Sequence, residues 1–303
     1  MLKAFLSLIE SKSLMQFKYL SKSLIDITID EKDKLENLFE FLAHKGNTID
    51  TIAMQYLKFT DYFLEEQMFF VLNRRYRYST SDEISKLYNN REFMNNYTIG
   101  LGLSSYLWHT HRVLMKLFNK FLSEIRGERR HSLYFEIGPG HGEHFVTAMR
   151  NTNFSKYIGI DISETSAERT KEFIKWSLKE NRQDWEILNK DFFDYEISDK
   201  PNAIVMGEVL EHVENPLSFL NKIYDISTND TRIYISTAVN APQLDHIYLF
   251  NDIDEVKNMF KKAKLEIIDM AAEASNFASI EKALQKKTAI VVAFILKKQL
   301  ENN

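Results

Sequence analysis

Cysteine is absent from the 303-residue sequence, proline occurs four times and glycine nine times. The first absence excludes disulfides, thiolate zinc sites and cysteine nucleophiles, and is compatible with a reducing compartment. No run of about 18 apolar residues is present, so no membrane-spanning helix is expected. The opening Met1-Leu-Lys-Ala-Phe-Leu-Ser-Leu-Ile-Glu10 has one lysine and no small-residue cleavage site after it. It reads as a first helix rather than a leader, and a cytoplasmic location is expected. Basic excess is missing too. The formal net charge of −4 argues against a sequence-independent grip on nucleic acid, which needs a basic face. Internal repeats and low-complexity segments are also absent.

The scarce residues are unevenly placed. All four prolines (Pro139, Pro201, Pro216, Pro242) lie in the second part of the chain, and residues 1–126 hold only Gly46, Gly100 and Gly102. Residues 1–126 carry 17 basic and 15 acidic side chains, whereas residues 127–303 carry 22 and 28. A long segment without proline suits helices, and the second part has the punctuation of alternating strands and helices. The boundary is placed near Gly127-Glu-Arg-Arg-His131, giving a helical cap, substrate or dimerisation domain at 1–126 and a cofactor-binding domain at 127–303.

Within the first part, apolar residues recur at helical spacing from Leu2 to about Lys45 and again from Ile49 to Asn73. Arg74-Arg-Tyr-Arg-Tyr78 breaks the pattern and reads as a solvated turn or a substrate-facing lid. Ser81-Asp-Glu-Ile opens a further helix with Ser81 as the cap-like residue. The stretch from Phe93 to Trp108 is apolar nearly all round. It is expected to be buried between domains, or to serve a homodimer. His109 and His111 on a helix point about 200° apart and are not expected to share a metal.

The second part centres on Leu133-Tyr-Phe-Glu-Ile-Gly-Pro-Gly-His-Gly-Glu-His144, a short apolar segment running into three glycines at alternate positions. It reads as strand, tight turn and helix start, with a backbone free of Cβ atoms where a nucleotide-like ligand can lie. Strand candidates are 133–137, 157–161, 185–188, 203–207, 231–236, 265–270 and 288–296, alternating with helices as in an open α/β sheet. Asp161 ends the second strand, 21 residues after Gly140, a spacing that lets an acid accept ribose hydroxyls. Asn189-Lys-Asp-Phe-Phe-Asp-Tyr195 follows the third strand, and Met206-Gly-Glu-Val-Leu-Glu-His-Val-Glu-Asn-Pro216 the fourth.

Glu136-x-Gly-x-Gly-x-Gly, Asp161, Asp191-Phe192 and Glu208-Val-Leu-Glu-His-Val213, in that order, resemble class I S-adenosylmethionine (SAM) dependent methyltransferases. The resemblance implies a seven-stranded Rossmann-like sheet with an antiparallel last strand, and SAM as cofactor. It implies that Gly138, Pro139, Gly140 and Gly142 carry the methionine part with Glu136 close by. Asp161, followed by Ile162, would take the ribose, Asp191 and Phe192 the adenine, and Gly207 and Glu208 would complete the cofactor site. Residues 1–126 fall outside the resemblance.

The dinucleotide fingerprint differs, because its third glycine falls one position later than Gly142. No Asn-Pro-Pro-Tyr or Asp-Pro-Pro-Tyr follows the fourth strand, which speaks against methylation of bases or amides. Glu208, Glu211 and His212 also reproduce a triple with which small-RNA 2′-O-methyltransferases, adding a distant histidine, hold a divalent ion. Metal-free relatives share the triple and no RNA-binding face is present, so no metal is expected. His246, in the loop after the fifth strand, is the expected general base, with Glu208, His212 and Tyr248 beside it. His141 and His144 are expected to line the site or face solvent. The cap's Tyr76, Tyr78, Tyr97, Tyr106 and Trp108 are candidates to shape an acceptor pocket or face the sulfonium.

The expected function is methyl transfer to oxygen or carbon of a small molecule. Two alternatives stand beside it. One is a SAM enzyme that does not methylate, with attack on the aminobutyrate carbon releasing methylthioadenosine; the other is a non-catalytic binding protein.

Overall fold

The computed structural model describes residues 1–88, 90–125, 132–178 and 184–299. The expected domain boundary at Gly127 to His131 lies outside the described residues. Among the described residues seven α-helices precede the first strand: α1 (Leu2–Lys12), α2 (Leu14–Ser23), α3 (Ile29–His44), α4 (Ile49–Asn73), α5 (Ser81–Tyr88), α6 (Arg91–Leu107) and α7 (His109–Glu124). Short polar side chains start several of them. Thr28 and Glu31 form a reciprocal capping box on α3, and Thr48 accepts from Thr51 N on α4. The cap of α5 is Thr80 rather than Ser81, since Thr80 Oγ1 accepts from Glu83 N while Glu83 Oε2 accepts from the amides of Ser79 and Thr80. The α4 helix stops at Arg74, which takes φ 56° and closes onto Phe70 O.

Strands β1 (Leu133–Ile137), β2 (Lys156–Asp161), β3 (Trp185–Asn189), β4 (Ala203–Gly207), β5 (Arg232–Val239), β6 (Leu265–Ala274) and β7 (Ile290–Lys298) form one sheet in the order β3-β2-β1-β4-β5-β7-β6. All neighbours pair parallel except β7, which runs antiparallel between β5 and β6. This is the expected class I methyltransferase sheet. Helices α8 (Glu143–Asn151) and α9 (Glu164–Leu178) cover one face together with α7, while α10 (Pro216–Ile226), α11 (Ile253–Lys262) and α12 (Ile280–Lys286) cover the other. Burial on both faces explains why the central strands are continuous apolar runs.

The amino-terminal helices share the core of the sheet's first face. Phe118 and Phe121 of α7 pack on Tyr234 of β5, whose hydroxyl donates to Leu114 O at 3.1 Å. Leu35, Leu38, Leu103 and Leu107 belong to the same cluster. The stretch Ile99 to Trp108 is thus consumed within the chain, with Ile99, Leu103, Tyr106 and Leu107 buried against α3 and α4. Arg112, 1% exposed, pins α7 to the end of α2: it donates to Ser23 O and Asp26 Oδ1, both at 2.5 Å, and to Tyr106 O at 3.2 Å. Among the described residues no helix is long and apolar enough to cross a membrane.

Candidate cofactor and acceptor site

Sheet order reverses between β1 and β4, so the loops after these strands diverge and leave a crevice at the carboxyl edge. A cavity of about 1200 Å³ opens there. The glycine turn forms its floor. Gly138 N donates to Ile160 O at 2.8 Å, which presses the turn against β2. At φ +67° a Cβ on Gly138 would stand 2.7 Å from Val209 Cγ2, and at φ +56° a Cβ on Gly140 would meet Gly138 O at 3.9 Å. Asp161 ties turn to strand: Oδ2 accepts from Gly140 N at 3.1 Å and Oδ1 from Ser163 N at 2.9 Å. Burial raises its pKa to about 6 against the pull of those two amides.

Most expected cofactor residues meet at this cavity. Gly138, Pro139, Gly140, Asp161 and Ile162 line it, as do Asp191, Phe192, Gly207 and Glu208. Ile162 is 70% exposed, an apolar face left open by the described residues. Asp191 Oδ1 accepts from Phe193 N at 2.7 Å, and the Lys222 ammonium donates to the carbonyls of Phe192, Phe193 and Tyr195, which fixes the turn after β3.

Two expected residues stand behind the wall. Gly142 starts α8 and donates to Pro139 O. Glu136 points to the opposite face of β1, where Tyr134 OH donates to it at 2.5 Å, because side chains alternate along a strand.

The cap supplies the other side, with one of the expected aromatics and several residues that were not expected. Tyr97 lines the cavity, and so do Tyr88, Ser85, Thr98 and Ser105. Tyr76, Tyr78, Tyr106 and Trp108 do not. Tyr76 OH accepts from Ala241 N, Tyr106 donates to Glu143, and Trp108 Nε1 donates to Tyr56 OH. Each buried aromatic spends its polar end on the protein itself. No residue from Arg74 to Tyr78 lines the cavity, so the lid reading of that run has no support; Arg77 pairs with Glu66 at 2.7 Å. His141 and His144 line the cavity, and His111 does so from α7, whereas His109 turns away and stacks on Phe277.

The loops after β4 and β5 bring acids and imidazoles together. Glu208 takes φ +52°, and its amide donates to Ser236 O at 3.0 Å. A glutamate held in the left-handed region at a strand end is strain of the kind that functional sites keep. Glu211 is fully buried and accepts from Thr237 Oγ1 at 2.6 Å. His212 Nδ1 lies 3.0 Å from Asp245 O, His246 Nδ1 lies 2.6 Å from Ala241 O, and the two rings are 4.7 Å apart. Asp245 accepts from Tyr97 OH at 2.7 Å, which couples the cap to this loop.

Burial raises the pKa of Glu208, and that of Glu211 further because Glu208 faces it, and lowers that of His246 to about 3. So weak a base in the free protein does not suit the expected general-base role. Tyr248 lies outside the cavity wall, packed on Phe250 at 4.7 Å, so it does not join the expected catalytic group.

Buried titratable groups make stability depend on pH in opposite senses. Glu136, Glu143 and Asp161 have pKa values raised by burial to about 8, about 7 and about 6. The folded state keeps those protons when the unfolded chain has lost them, so their contribution is full below about pH 4 and falls as pH rises from there to the folded values of 6 to 8. His111, His141 and His144 are lowered by burial to about 4, 3 and 4, so stability falls as pH drops below about 6.5. The two sets oppose each other between about pH 4 and 6.5, and above that range the carboxyl groups act alone, so the cofactor-free protein is expected to lose stability on the alkaline side. Glu136→Gln keeps an acceptor for Tyr134 and removes one alkaline loss. Its stabilising effect should be larger at pH 8.5 than at pH 6 by about 2 to 3 kcal/mol, on the order of 5 °C in Tm. Melting curves at both pH values check this; an equal effect at both would contradict it.

Residues 106–270, more than half of the chain, match the family described as Methyltransferase domain, and the chain belongs to that family. Its cofactor is S-adenosylmethionine. The match begins inside α6 and includes α7. No curated protein sequence matches the chain. Among solved structures, the [4+2]-cyclase SpnF is similar at 10% identity over 74% of this chain and 98% of its own, with a TM-score of 0.55. The mitomycin 7-O-methyltransferase MmcR is similar at 12% identity over 79% of this chain and 68% of its own, with a TM-score of 0.53. At such identities the likeness is one of fold, and a fold that hosts a cyclase and an O-methyltransferase does not choose the reaction.

Proposed function

We propose that the protein transfers the methyl group of SAM to an oxygen or carbon atom of a small molecule bound between the glycine turn and helices α5 and α6. The observation that carries this reading is the size and continuity of the cavity. At about 1200 Å³ it exceeds the roughly 300 to 1,000 Å³ of a single small-molecule site. It runs from Asp161 and Asp191 to Tyr88, Tyr97 and Ser105 of the cap. Attack on the aminobutyrate carbon within SAM needs no such second compartment.

In this reading Asp161 takes the ribose hydroxyls, Ile162 and Phe192 flank the adenine with Asp191 at its amino group, and the glycine turn takes the methionine part. Methyl transfer is an in-line displacement, so alignment of acceptor and methyl supplies most of the acceleration, on the order of 7 to 11 kcal/mol. Glu208, on the cavity wall with an oxygen that has no donor, is the group to receive the acceptor's proton. Around the acceptor end stand Asp82, Glu208, Glu214 and Asp245, and among the described residues the one lysine lining the cavity, Lys190, is at the adenine end. That balance favours a neutral or cationic acceptor with a hydroxyl or acidic carbon over a phosphate or carboxylate.

Incubating the protein with methyl-labelled SAM and a deproteinised metabolite extract tests the proposal. Label in a new small molecule together with S-adenosylhomocysteine is the expected result. Methylthioadenosine without a labelled acceptor would establish the non-methylating reaction instead.

A further inference from the structure

Helix α4 is apolar on two sides. One side faces inward, where Ile52, Tyr56, Phe59 and Phe70 are buried in the cap against α1, α3 and α6. The other side carries Leu64, Met68, Val71 and Leu72 in the last turns of the helix, and these are 37%, 68%, 50% and 81% exposed. A surface helix with one covered face carries polar residues on the opposite one, so a second apolar stripe calls for a second partner. The described residues leave that stripe open.

Spacing and charge narrow what fits it. Asp61, Leu64, Met68, Val71 and Arg75 follow one another at intervals of three, four, three and four residues, with Leu72 beside Val71. That is the narrow seam along which one helix packs on another. Its two ends carry opposite charges, Asp61 ahead of the apolar residues and Arg75 just past the end of the helix. Both are exposed, and among the described residues neither has an ion pair. Arg75 lies 5.3 Å from the Phe69 ring centre and gives Nη1 to the carbonyls of Tyr76 and Arg77, with its other donors still available.

The seam is complementary to its own reverse. Two copies of α4 laid antiparallel with Met68 opposite Met68 bring Leu64 onto Leu72 and Asp61 onto Arg75, since each pair is equally spaced about position 68. A parallel pairing would set Asp61 on Asp61 and Arg75 on Arg75. We propose that the protein is a homodimer in which α4 packs antiparallel on α4 of a second copy, across a two-fold axis at Met68. A contact of this kind uses the same patch on both copies and closes on itself. The charged ends set its direction more than its strength, as exposed charges at an interface rim do. The dimer surface expected at Phe93 to Trp108 is spent inside the chain, and the α4 seam takes its place. None of the seam residues lines the cavity, so the proposal does not depend on the methyl-transfer reading.

The test uses the full-length protein in sedimentation equilibrium, where a monomer–dimer equilibrium of micromolar dissociation constant or tighter is expected. Met68→Glu, at an exposed position outside the cap's core, should weaken it on the order of 100-fold. Asp61→Arg should also weaken it by setting like charges together, and Asp61→Arg combined with Arg75→Asp should restore it. Because the chain has no cysteine, Met68→Cys alone should give a disulfide-linked dimer on mild oxidation. Met15→Cys, similarly exposed on α2, should not. Far-ultraviolet circular dichroism shows that each variant folds.

A protein that stays monomeric at high micromolar concentration overturns the proposal. So does a dimer that Met68→Glu leaves intact, or one that Met68→Cys does not cross-link. Monomeric protein that sediments with anionic phospholipid vesicles, and loses this in Met68→Glu, would overturn it too and assign the seam to a membrane surface.

Discussion

Asp161→Ala is expected to weaken SAM binding at least 100-fold, the largest effect of any single change at the cofactor end. The carboxylate has two duties. It accepts from the amides of Gly140 and Ser163, and so holds the glycine turn against the end of β2. In the proposed complex it also receives the ribose hydroxyls. Hydrogen bonds to a charged group contribute about 1.5 to 3 kcal/mol each, and a hundredfold loss of affinity corresponds to about 2.7 kcal/mol. Two such losses therefore suffice. Titration calorimetry of the variant measures the effect, with a melting curve to show that it folds. Tyr248→Phe is the companion, because Tyr248 does not line the cavity and its change should leave affinity within twofold. Micromolar SAM binding retained by Asp161→Ala would remove the ribose role.

Arg112→Leu is expected to give the largest loss of stability, about 3 kcal/mol, with Tm lowered on the order of 5 °C. The leucine fills part of the space but leaves Ser23 O and Tyr106 O without the donors they now have inside the protein. Each such orphaned buried acceptor costs about 1 to 3 kcal/mol. Asp26 adds little, since it is 65% exposed and regains water. Lys116, 55% exposed and 3.8 Å from the same Asp26, is the contrasting case. Its replacement by alanine should change stability by no more than about 0.5 kcal/mol. A melting temperature for Arg112→Leu within 2 °C of the parent would show that α7 is not fastened to α2 in this way.

How far the sequence revealed this arrangement follows from what each element buries. Strands such as Leu133–Ile137 and Ala203–Gly207 are covered on both faces, so their apolar runs are continuous and their limits legible. β5 and β6 run further than their apolar runs suggested, to Val239 and Ala274, because pairing with the long antiparallel β7 extends them. The glycine turn and Asp161 were legible because backbone conformation and spacing leave few residue types able to serve.

The cap was legible as helices but not as a surface. Whether Tyr76 or Tyr88 reaches the cavity depends on which side of its helix or turn meets the sheet, and spacing along the chain does not contain that. The placement of Glu136 was not legible for a related reason: its backbone lies beside the glycine turn, while its side chain takes the hydroxyl of Tyr134 and does not line the cavity. His246 meets His212 only because β4 and β5 are neighbours, which places two loops 34 residues apart in sequence at one wall.

A crystal structure of the protein with S-adenosylhomocysteine is the most direct test of the central claim, that the crevice between β1 and β4 holds the cofactor with an acceptor compartment beyond it. The account predicts the ribose on Asp161, the adenine beside Ile162 and Asp191, the amino acid part on the Gly138–Gly140 turn, and unfilled space from the sulfur toward Glu208 and Tyr97. A ligand lying elsewhere, or one whose sulfur end is closed off from the cap by protein atoms, would contradict it.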